Sequence, residues 1–225
     1  MIKKIIPGYS IIPLAICLVI HMFAYYGARI INLLIYGSTS GYLDLTLDID
    51  RMIPVMPIWS YVYIGSYVFW VISYIIASRD SREHLGKIMV ADIITKMLCF
   101  IIFVAVPTTA VRPMINGDGC GAWLLKMVYE ADLPDNLFPS MHCATSWLSF
   151  RFLMKAKKTH ILGKIVAFIS ATAVFVSVLF TKQHVILDVV SGVLVAEIGV
   201  QIGFRTGLFK WFERLDITDY IERKK

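Results

Sequence analysis

Two short polar clusters stand out in a chain that is otherwise largely apolar. The first contains Ser140 and His142, and the second contains Lys182 and His184, with Asp188 four residues further on. Histidine and carboxylate side chains move protons, and lysine side chains bind anions. The combination therefore suggests chemistry on a phosphate group.

The spacing of His184 and Asp188 indicates a prepared nucleophile. Residues four apart share a face of a helix, so the carboxylate can accept a proton from one imidazole nitrogen. This contact fixes the tautomer and raises the basicity of the other nitrogen, which suits attack on phosphorus. His142 is then the candidate donor of a proton to the leaving oxygen, because an imidazole with an ordinary pKa of about 6.5 serves in both protonation states.

Three further residues are candidates for binding the phosphoryl group. Arg112 and Lys182 would hold its oxygens and offset their growing charge, while the Ser140 hydroxyl and the amides of a helix start would add donors. Each also has a plain structural explanation: Ser140 could simply cap a helix, and Arg112, which precedes Pro113, could simply anchor a loop. Their occurrence together favours a site.

The composition places these clusters in a membrane protein. Hydrophobic residues make up 58% of the 225 residues, and the mean hydropathy is +0.71, well above ordinary soluble domains. A spanning helix needs about 20 mostly apolar residues, so we predict an all-α fold, a single domain over residues 1–225 that forms a polytopic bundle of six transmembrane helices. The predicted spans are roughly Ile11–Tyr36, Ile58–Ser78, Ile88–Val106, Ser140–Met154, Ile165–Phe180 and His184–Phe204. The fourth is short and partly polar.

The basic residues predict the orientation of this bundle. Most of the 22 Lys and Arg residues fall at span ends on the same side as the N-terminus, and short basic loops stay cytoplasmic. We therefore expect a multi-pass protein of the cell membrane with cytoplasmic termini and with both polar clusters at the extracytoplasmic face. The net charge of +6 is then a topology signal, and no nucleic-acid partner is predicted.

Other ionisable residues lie inside the predicted spans, where unpaired charge is costly. Asp92 and Lys96 are four residues apart in the third span, which predicts an internal ion pair. Glu197, nine residues past Asp188, lies too deep for the outer clusters. We expect it to form a hydrogen bond between helices.

The polar clusters resemble the motifs of the type 2 phosphatidic acid phosphatase superfamily of membrane lipid phosphatases and phosphotransferases. Its motifs are Lys-x6-Arg-Pro, Pro-Ser-x-His and Ser-Arg-x5-His-x3-Asp. The second matches in full at Pro139–His142, and the third matches at His184 and Asp188. The lysine position of the first motif holds Ala105, and the arginine position of the third holds Val178.

With these departures and with the run Asp48–Pro57, the sequence resembles the inositol phosphorylceramide and sphingomyelin synthase branch of that superfamily. The overall resemblance extends from about Asp44 to Gly203. Two phosphate-binding cations of the ordinary pattern are absent, and Lys182 is a candidate replacement for one of them.

The resemblance implies a covalent route without a metal or other cofactor. His184 attacks the phosphorus of a lipid phosphate, His142 protonates the departing alcohol, and a phosphohistidine forms; water or a second lipid alcohol then takes the phosphoryl group. His142, His184 and Asp188 also have the atom types of a zinc site, which is the minor alternative. The function classes left open are a phosphatase, a phosphotransferase that moves a headgroup to a lipid alcohol, and a lipid transporter or scramblase without chemistry. The expected partners are the lipid phosphate and the bilayer.

Overall fold

The computed structural model describes residues 6–214, except for the side chains of Trp211, Glu213 and Arg214. The described chain is mostly helical, as predicted. Its α-helices are α1 (Ile11–Met22), α2 (Ala28–Tyr36), α3 (Asp48–Met52), α4 (Ser60–Ser78), α5 (Arg82–Ala105), α6 (Cys120–Ala131), α7 (Met141–Lys155), α8 (Ile161–Phe180), α9 (Ile186–Arg205) and α10 (Phe209–Arg214). A π-helical turn, Phe23–Gly27, joins α1 to α2. The predicted cytoplasmic placement of the two chain ends concerns residues outside the described part.

Five helical segments are long and apolar enough to cross a membrane within the described residues, which fits an integral membrane protein. They are Gly8–Tyr36, Pro57–Ser78, Arg82–Ala105, Ile161–Phe180 and Ile186–Arg205. The fourth predicted span forms as helix α7, but α7 has only 15 residues. At 1.5 Å per residue it is about 22 Å long, less than the ~30 Å of a bilayer core. The predicted count of six transmembrane helices is therefore not confirmed.

Helix α7 lies inside the bundle, which explains its short and partly polar sequence. It packs against α4, α8 and α9, and Ala144, Leu148 and Phe152 on it are fully buried. The predicted interhelical bond of Glu197 is confirmed, since Trp147 Nε1 donates to Glu197 Oε2 at 3.0 Å. Because its neighbours surround it, α7 does not need an apolar surface on every side.

Helices α5 and α9 approach each other closely, and small residues make that approach possible. A Cβ atom placed on Gly203 would lie 2.6 Å from the Lys87 carbonyl oxygen and 2.8 Å from the Ala91 nitrogen. Gly199, one turn earlier, faces Thr95 and Ala91 in the same way. The two glycines form a Gly-x-x-x-Gly pattern, which lets helix backbones approach closely in membranes.

A small parallel sheet ties two connections together before α7 begins. Strand β1 (Leu43–Asp44) pairs with β2 (Thr108–Thr109). The Thr108 hydroxyl oxygen accepts hydrogen bonds from the backbone nitrogens of Leu137 and Phe138, at 3.0 and 2.9 Å. The segment that leads into α7 is thereby held against the end of α5, with a cis peptide bond between Phe138 and Pro139.

We predict that Gly203→Ala destabilises the protein and that Gly65→Ala does not. The added methyl group at residue 203 must displace α5 backbone, and such overpacking costs about 1–3 kcal/mol. Gly65 is the matched control, because a Cβ there would meet nothing within 4 Å. Thermal unfolding of both variants in the same detergent tests this, and equal melting temperatures would contradict the close packing of α5 on α9.

Candidate active site

His184 and Asp188 meet as predicted, although His184 is not part of the helix. Helix α9 begins at Ile186, and the Asp188 carboxylate in its first turn reaches back toward the preceding residues. Asp188 Oδ2 lies 3.2 Å from His184 Nδ1 and accepts a hydrogen bond of 3.0 Å from the Val185 nitrogen. The same oxygen therefore closes the start of the helix and orients the ring. With Nδ1 facing the carboxylate, Nε2 is the nitrogen free to react.

His142 lies beside this pair, at the start of α7, with its ring centroid 5.9 Å from that of His184. Its ring stacks on Tyr63 with 4.4 Å between centroids, and Trp70 lies 5.3 Å away. The Tyr67 hydroxyl is 3.3 Å from His142 Nε2. We call Tyr63, Tyr67 and Trp70, all on α4, the aromatic cage. The predicted neighbourhood of the two histidines is thus present, and the cage holds one of them.

The two motifs are connected directly through backbone. The Ser140 nitrogen donates to the Asp188 carbonyl oxygen at 3.0 Å. Gly192 permits this approach, because a Cβ there would lie 3.3 Å from the Ala144 nitrogen and would clash with the Ser140 carbonyl oxygen. The Ser140 hydroxyl oxygen accepts from the Cys143 nitrogen at 3.2 Å, which is the capping role considered for it.

Arg112 lies close to the histidines but is engaged with protein acceptors. Its Nη2 donates to Gln183 Oε1 at 2.6 Å, its Nη1 donates to the Asp132 carbonyl oxygen, and its guanidinium lies 4.8 Å from the centre of the Tyr129 ring. Burial lowers the pKa of Arg112, and the Asp132 carboxylate opposes that shift. Arg112 thus fixes the end of α6 next to the residue that precedes His184. Its predicted contact with a phosphoryl group stays a prediction.

Asp132 is a member of the site that the sequence reasoning missed. Its carboxylate accepts hydrogen bonds from the hydroxyls of Tyr63, at 2.7 Å, and Tyr25. Asp132, His142 and His184 together line a cavity of about 10 Å³, roughly the room that one water molecule needs. Burial favours a higher pKa for Asp132, but His142 and the two tyrosine hydroxyls outweigh it and lower the pKa below its ordinary value. No sequence spacing links Asp132 to residues on two other helices, so no local signal could have found it.

A second acidic residue stabilises the same corner of the site. Asp135 accepts two hydrogen bonds from Arg29, at 2.9 Å from Nε and 2.6 Å from Nη2. Arg29 Nη2 also donates to the Tyr25 hydroxyl at 3.0 Å. Burial raises the pKa of Asp135, and the Arg29 guanidinium opposes the shift. The first span is thereby joined to the segment before α7.

His184 also lines an open pocket of about 430 Å³. Lys182 and Arg51 line this pocket as well. The remaining lining residues are mainly apolar: Ile53, Pro54, Val55, Ala110, Val111, Pro113, Leu179 and Val185, with Thr46 and Asp50. The pocket therefore combines two cationic side chains and an imidazole with mainly apolar walls.

Lys182 occupies the pocket through an unusual backbone conformation. Its φ is +53°, in the left-handed region, and its Nζ donates to the Asp50 carbonyl oxygen at 2.7 Å. Burial lowers the pKa of Lys182, and Asp50 opposes the shift. The two positions that lack the motif cations lie elsewhere: Ala105 is the last residue of α5, and Val178 is fully buried in an apolar cluster with Tyr63, Cys143 and Val174.

Asp50 was not predicted to contribute to the site, but it supports the residues that do. Its Oδ1 accepts a hydrogen bond of 2.8 Å from the Ile186 nitrogen, the first residue of α9. Its Oδ2 accepts from the Leu47 nitrogen at 2.9 Å, at the start of α3. One buried carboxylate therefore closes the N-terminal ends of two helices on either side of the pocket.

No group of three or more His, Cys, Asp or Glu side chains lies close enough to hold a metal ion within the described residues. The zinc alternative, which needs His142, His184 and Asp188 around one ion, therefore has no preformed ligand set in that part of the chain.

The chain was compared with known protein families, curated proteins and solved structures. A family model described as the PAP2 superfamily matches residues 48–202, a range that contains both histidines and all the other predicted site residues. No curated protein and no solved structure matches significantly.

We predict that Asp50→Ala destabilises the protein and that Asp48→Ala does not. Removing the Asp50 carboxylate leaves the Leu47 and Ile186 nitrogens without their acceptor, and loss of a helix cap costs about 0.5–2 kcal/mol. Asp48 is the matched control in the same helix, because its side chain is exposed and its contact to Arg51 is a 3.8 Å surface pair, worth at most about 1 kcal/mol. Amide hydrogen exchange at Ile186 should accelerate only in Asp50→Ala; equal protection in both variants would contradict this role.

Proposed function

This chain belongs to the PAP2 superfamily, and from that premise we propose that it is a membrane lipid phosphatase that forms a phosphohistidine at His184. Family membership supports an enzyme that acts on lipid phosphates, either as a phosphatase or as a phosphotransferase. The apolar helices support a site that takes its substrate from the bilayer.

One observation carries the proposal: the imidazole oriented by Asp188 lines the 430 Å³ pocket that also contains Lys182 and Arg51. A phosphate monoester placed there meets a nucleophile and two cations. Fixed cations stabilise the charge on phosphoryl oxygens in the transition state. Lys182 and Arg51 then supply the positive charge of the two motif cations whose positions hold Ala105 and Val178.

The first step transfers the phosphoryl group to the protein. The lone pair on His184 Nε2 forms the N–P bond, and the P–O bond to the lipid alcohol breaks with its electron pair on oxygen. His142 gives that oxygen a proton, so the lipid leaves as a neutral alcohol. Asp188 balances the positive charge that His184 gains, as the buried aspartate does in hydrolase triads.

The second step restores the protein. His142, now neutral, accepts a proton from water while the water oxygen attacks the phosphorus and the N–P bond breaks. Inorganic phosphate leaves, and His184 and His142 return to their starting states. The phosphotransferase reaction follows the same two steps with a phosphodiester donor. The lipid alcohol leaves in the first step, the phospho-headgroup stays on His184, and a second lipid alcohol takes the place of water in the second step. No step needs a metal.

Arg112 and Ser140 complete the proposal as further donors to the phosphoryl group. Arg112 would share its guanidinium between Gln183 and the phosphoryl oxygens, and Ser140 would donate its hydroxyl hydrogen while its oxygen still caps α7. The site is assigned to the extracytoplasmic face on the distribution of basic residues.

We predict that His184→Gln abolishes turnover and that His160→Gln does not. Removing a nucleophile that works as part of a unit lowers kcat by at least about 10³-fold. His160 is the control, since it is exposed at the start of α8. The purified variants would be incubated in mixed micelles with EDTA and with phosphatidic acid, phosphatidylglycerol phosphate, isoprenyl diphosphate or phosphoinositol lipids, with and without diacylglycerol or ceramide, and all products followed by mass spectrometry.

Free phosphate that depends on His184 supports the phosphatase, and a headgroup found only on the added acceptor supports the phosphotransferase instead. Full turnover by His184→Gln would overturn the assignment of His184 as the nucleophile. Lipid movement across vesicles that persists in His184→Gln, with no turnover by the unaltered protein, would favour the transporter or scramblase alternative.

We also predict that Lys182→Met and Arg51→Met each lower kcat/KM by about 10- to 100-fold, the value of one charge-assisted hydrogen bond. Lys126→Met is the control, because Lys126 is an exposed cation on α6 outside the pocket. Initial rates over a range of substrate concentrations test this. Unchanged kcat/KM in both pocket variants would show that Lys182 and Arg51 do not stabilise the bound phosphoryl group.

A further inference from the structure

A second pocket, of about 400 Å³, lies between the first span and helices α4 and α5. It is separate from the pocket that contains Lys182 and Arg51. Leu18 and Val71, which line it, are each 60% exposed, so they mark its mouth on the apolar surface of the bundle. Asp92 and Lys96, which also line it, are each 1% exposed and mark its polar inner end. The pocket has the size of a small-molecule site, for which about 300–1,000 Å³ is typical.

The inner end contains a buried carboxylate oxygen without a partner. The predicted pair of Asp92 and Lys96 is confirmed, with 3.8 Å between Asp92 Oδ1 and Lys96 Nζ. The Tyr74 hydroxyl donates to the same Oδ1 at 2.5 Å. Asp92 Oδ2 is buried and has no hydrogen-bond partner among the described residues. The Cys17 thiol interacts with the carboxylate, but a thiol is only a weak donor.

Asp92 lines the pocket, and its unpaired Oδ2 can accept a hydrogen bond from a ligand bound there. Buried polar atoms are nearly always satisfied, and an unsatisfied one costs about 1–3 kcal/mol. The Lys96 ammonium beside it has three donors and gives one to the Thr145 hydroxyl oxygen. A ligand group that both donates and accepts, such as a hydroxyl, matches this pair.

The charge at the inner end limits the ligand further. Asp92 and Lys96 neutralise each other, and the rest of the lining is mainly apolar, with His21 and Thr145 as its other polar residues. An ionic headgroup would therefore add an uncompensated charge to a water-poor site, which is costly. A neutral molecule with one hydroxyl and a long apolar body would not.

We propose that this pocket binds a neutral lipid alcohol. Its hydroxyl donates to Asp92 Oδ2 and accepts from Lys96 Nζ, and its hydrocarbon chain leaves the pocket between Leu18 and Val71 into the bilayer. The proposal is independent of the proposed function, because binding requires no turnover.

The pocket also has a physical connection to the candidate active site. Tyr67 and Trp70 line it, and both belong to the aromatic cage around His142, with the Tyr67 hydroxyl 3.3 Å from His142 Nε2. An occupant therefore packs against the far side of the residues that hold His142. A lipid alcohol is also the chemical class that the proposed phosphatase releases and that a phosphotransferase uses as acceptor.

Photolabelling in lipid nanodiscs tests the location of the site. The probe is a diacylglycerol with a diazirine in one acyl chain, and the labelled peptides are mapped by mass spectrometry. Labelling should concentrate on the peptides around Leu18 and Val71. Val71→Trp should lower it about tenfold by filling the mouth, whereas Val68→Trp should not, because Val68 is equally exposed on the same helix but lies outside the pocket. Equal labelling of the two variants would overturn the location.

Competition by unlabelled lipids tests the recognition of the hydroxyl. 1,2-Dioleoylglycerol should compete about tenfold better than 1,2-dioleoyl-3-acetylglycerol, which lacks the hydroxyl but keeps the chains; that ratio corresponds to one hydrogen bond. Dioleoyl phosphatidic acid should compete no better than the acetylated lipid. Equal competition by all three would overturn the proposal, since it would mean an apolar groove without recognition of the hydroxyl. The result does not depend on catalysis, so His184→Gln protein should give the same labelling even if the proposed function fails.

Discussion

The rest of the site depends on the Asp188 carboxylate in the first turn of α9. The first backbone nitrogens of a helix need acceptors, and Asp188 Oδ2 serves the Val185 nitrogen while it also faces His184 Nδ1. The Asp188 carbonyl oxygen accepts from the Ser140 nitrogen and so fixes the start of α7, which carries His142. One residue thus satisfies a helix end, orients one histidine and sets the position of the helix that bears the other.

Buried polar groups surround this residue because the site lies at the ends of apolar helices. Ionisable groups there must be paired or hydrogen-bonded to lower their cost. Asp132 meets this requirement with the hydroxyls of Tyr63 and Tyr25, and Asp135 meets it with Arg29. These contacts join the first two spans to the connection before α7. The hydrogen bonds that lower the cost of burying these carboxylates therefore also hold the histidines in place.

The absence of two motif cations has a structural consequence. Val178 is packed fully inside an apolar cluster, where a guanidinium would be buried away from water. The cations that line the pocket come from other places: Lys182 from a left-handed turn after α8, and Arg51 from the short helix α3. Asp50, next to Arg51, caps α9 through Ile186. The positive charge that lines the pocket is therefore provided by connecting segments packed against the start of α9 rather than by the spans themselves.

The sequence by itself determined the features that depend on local spacing. Apolar runs of sufficient length predict five spans that the structure contains, and spacings of four residues predict the contacts of His184 with Asp188 and of Asp92 with Lys96. Only the tertiary structure decided the features that join distant residues. The aromatic cage around His142 and the cap that Asp50 places on α9 each link residues more than 70 positions apart. The carboxylate of Asp132, which lines one cavity with both histidines, lies 52 positions before His184. The tertiary structure also decided the interior position of α7. The hydropathy of its 15 residues does not show that it lies within the bundle, whereas its packing against neighbouring helices does. The physical reason is that periodicity fixes which face of a helix is apolar, whereas the pairing of a buried polar atom depends on which other helix approaches it.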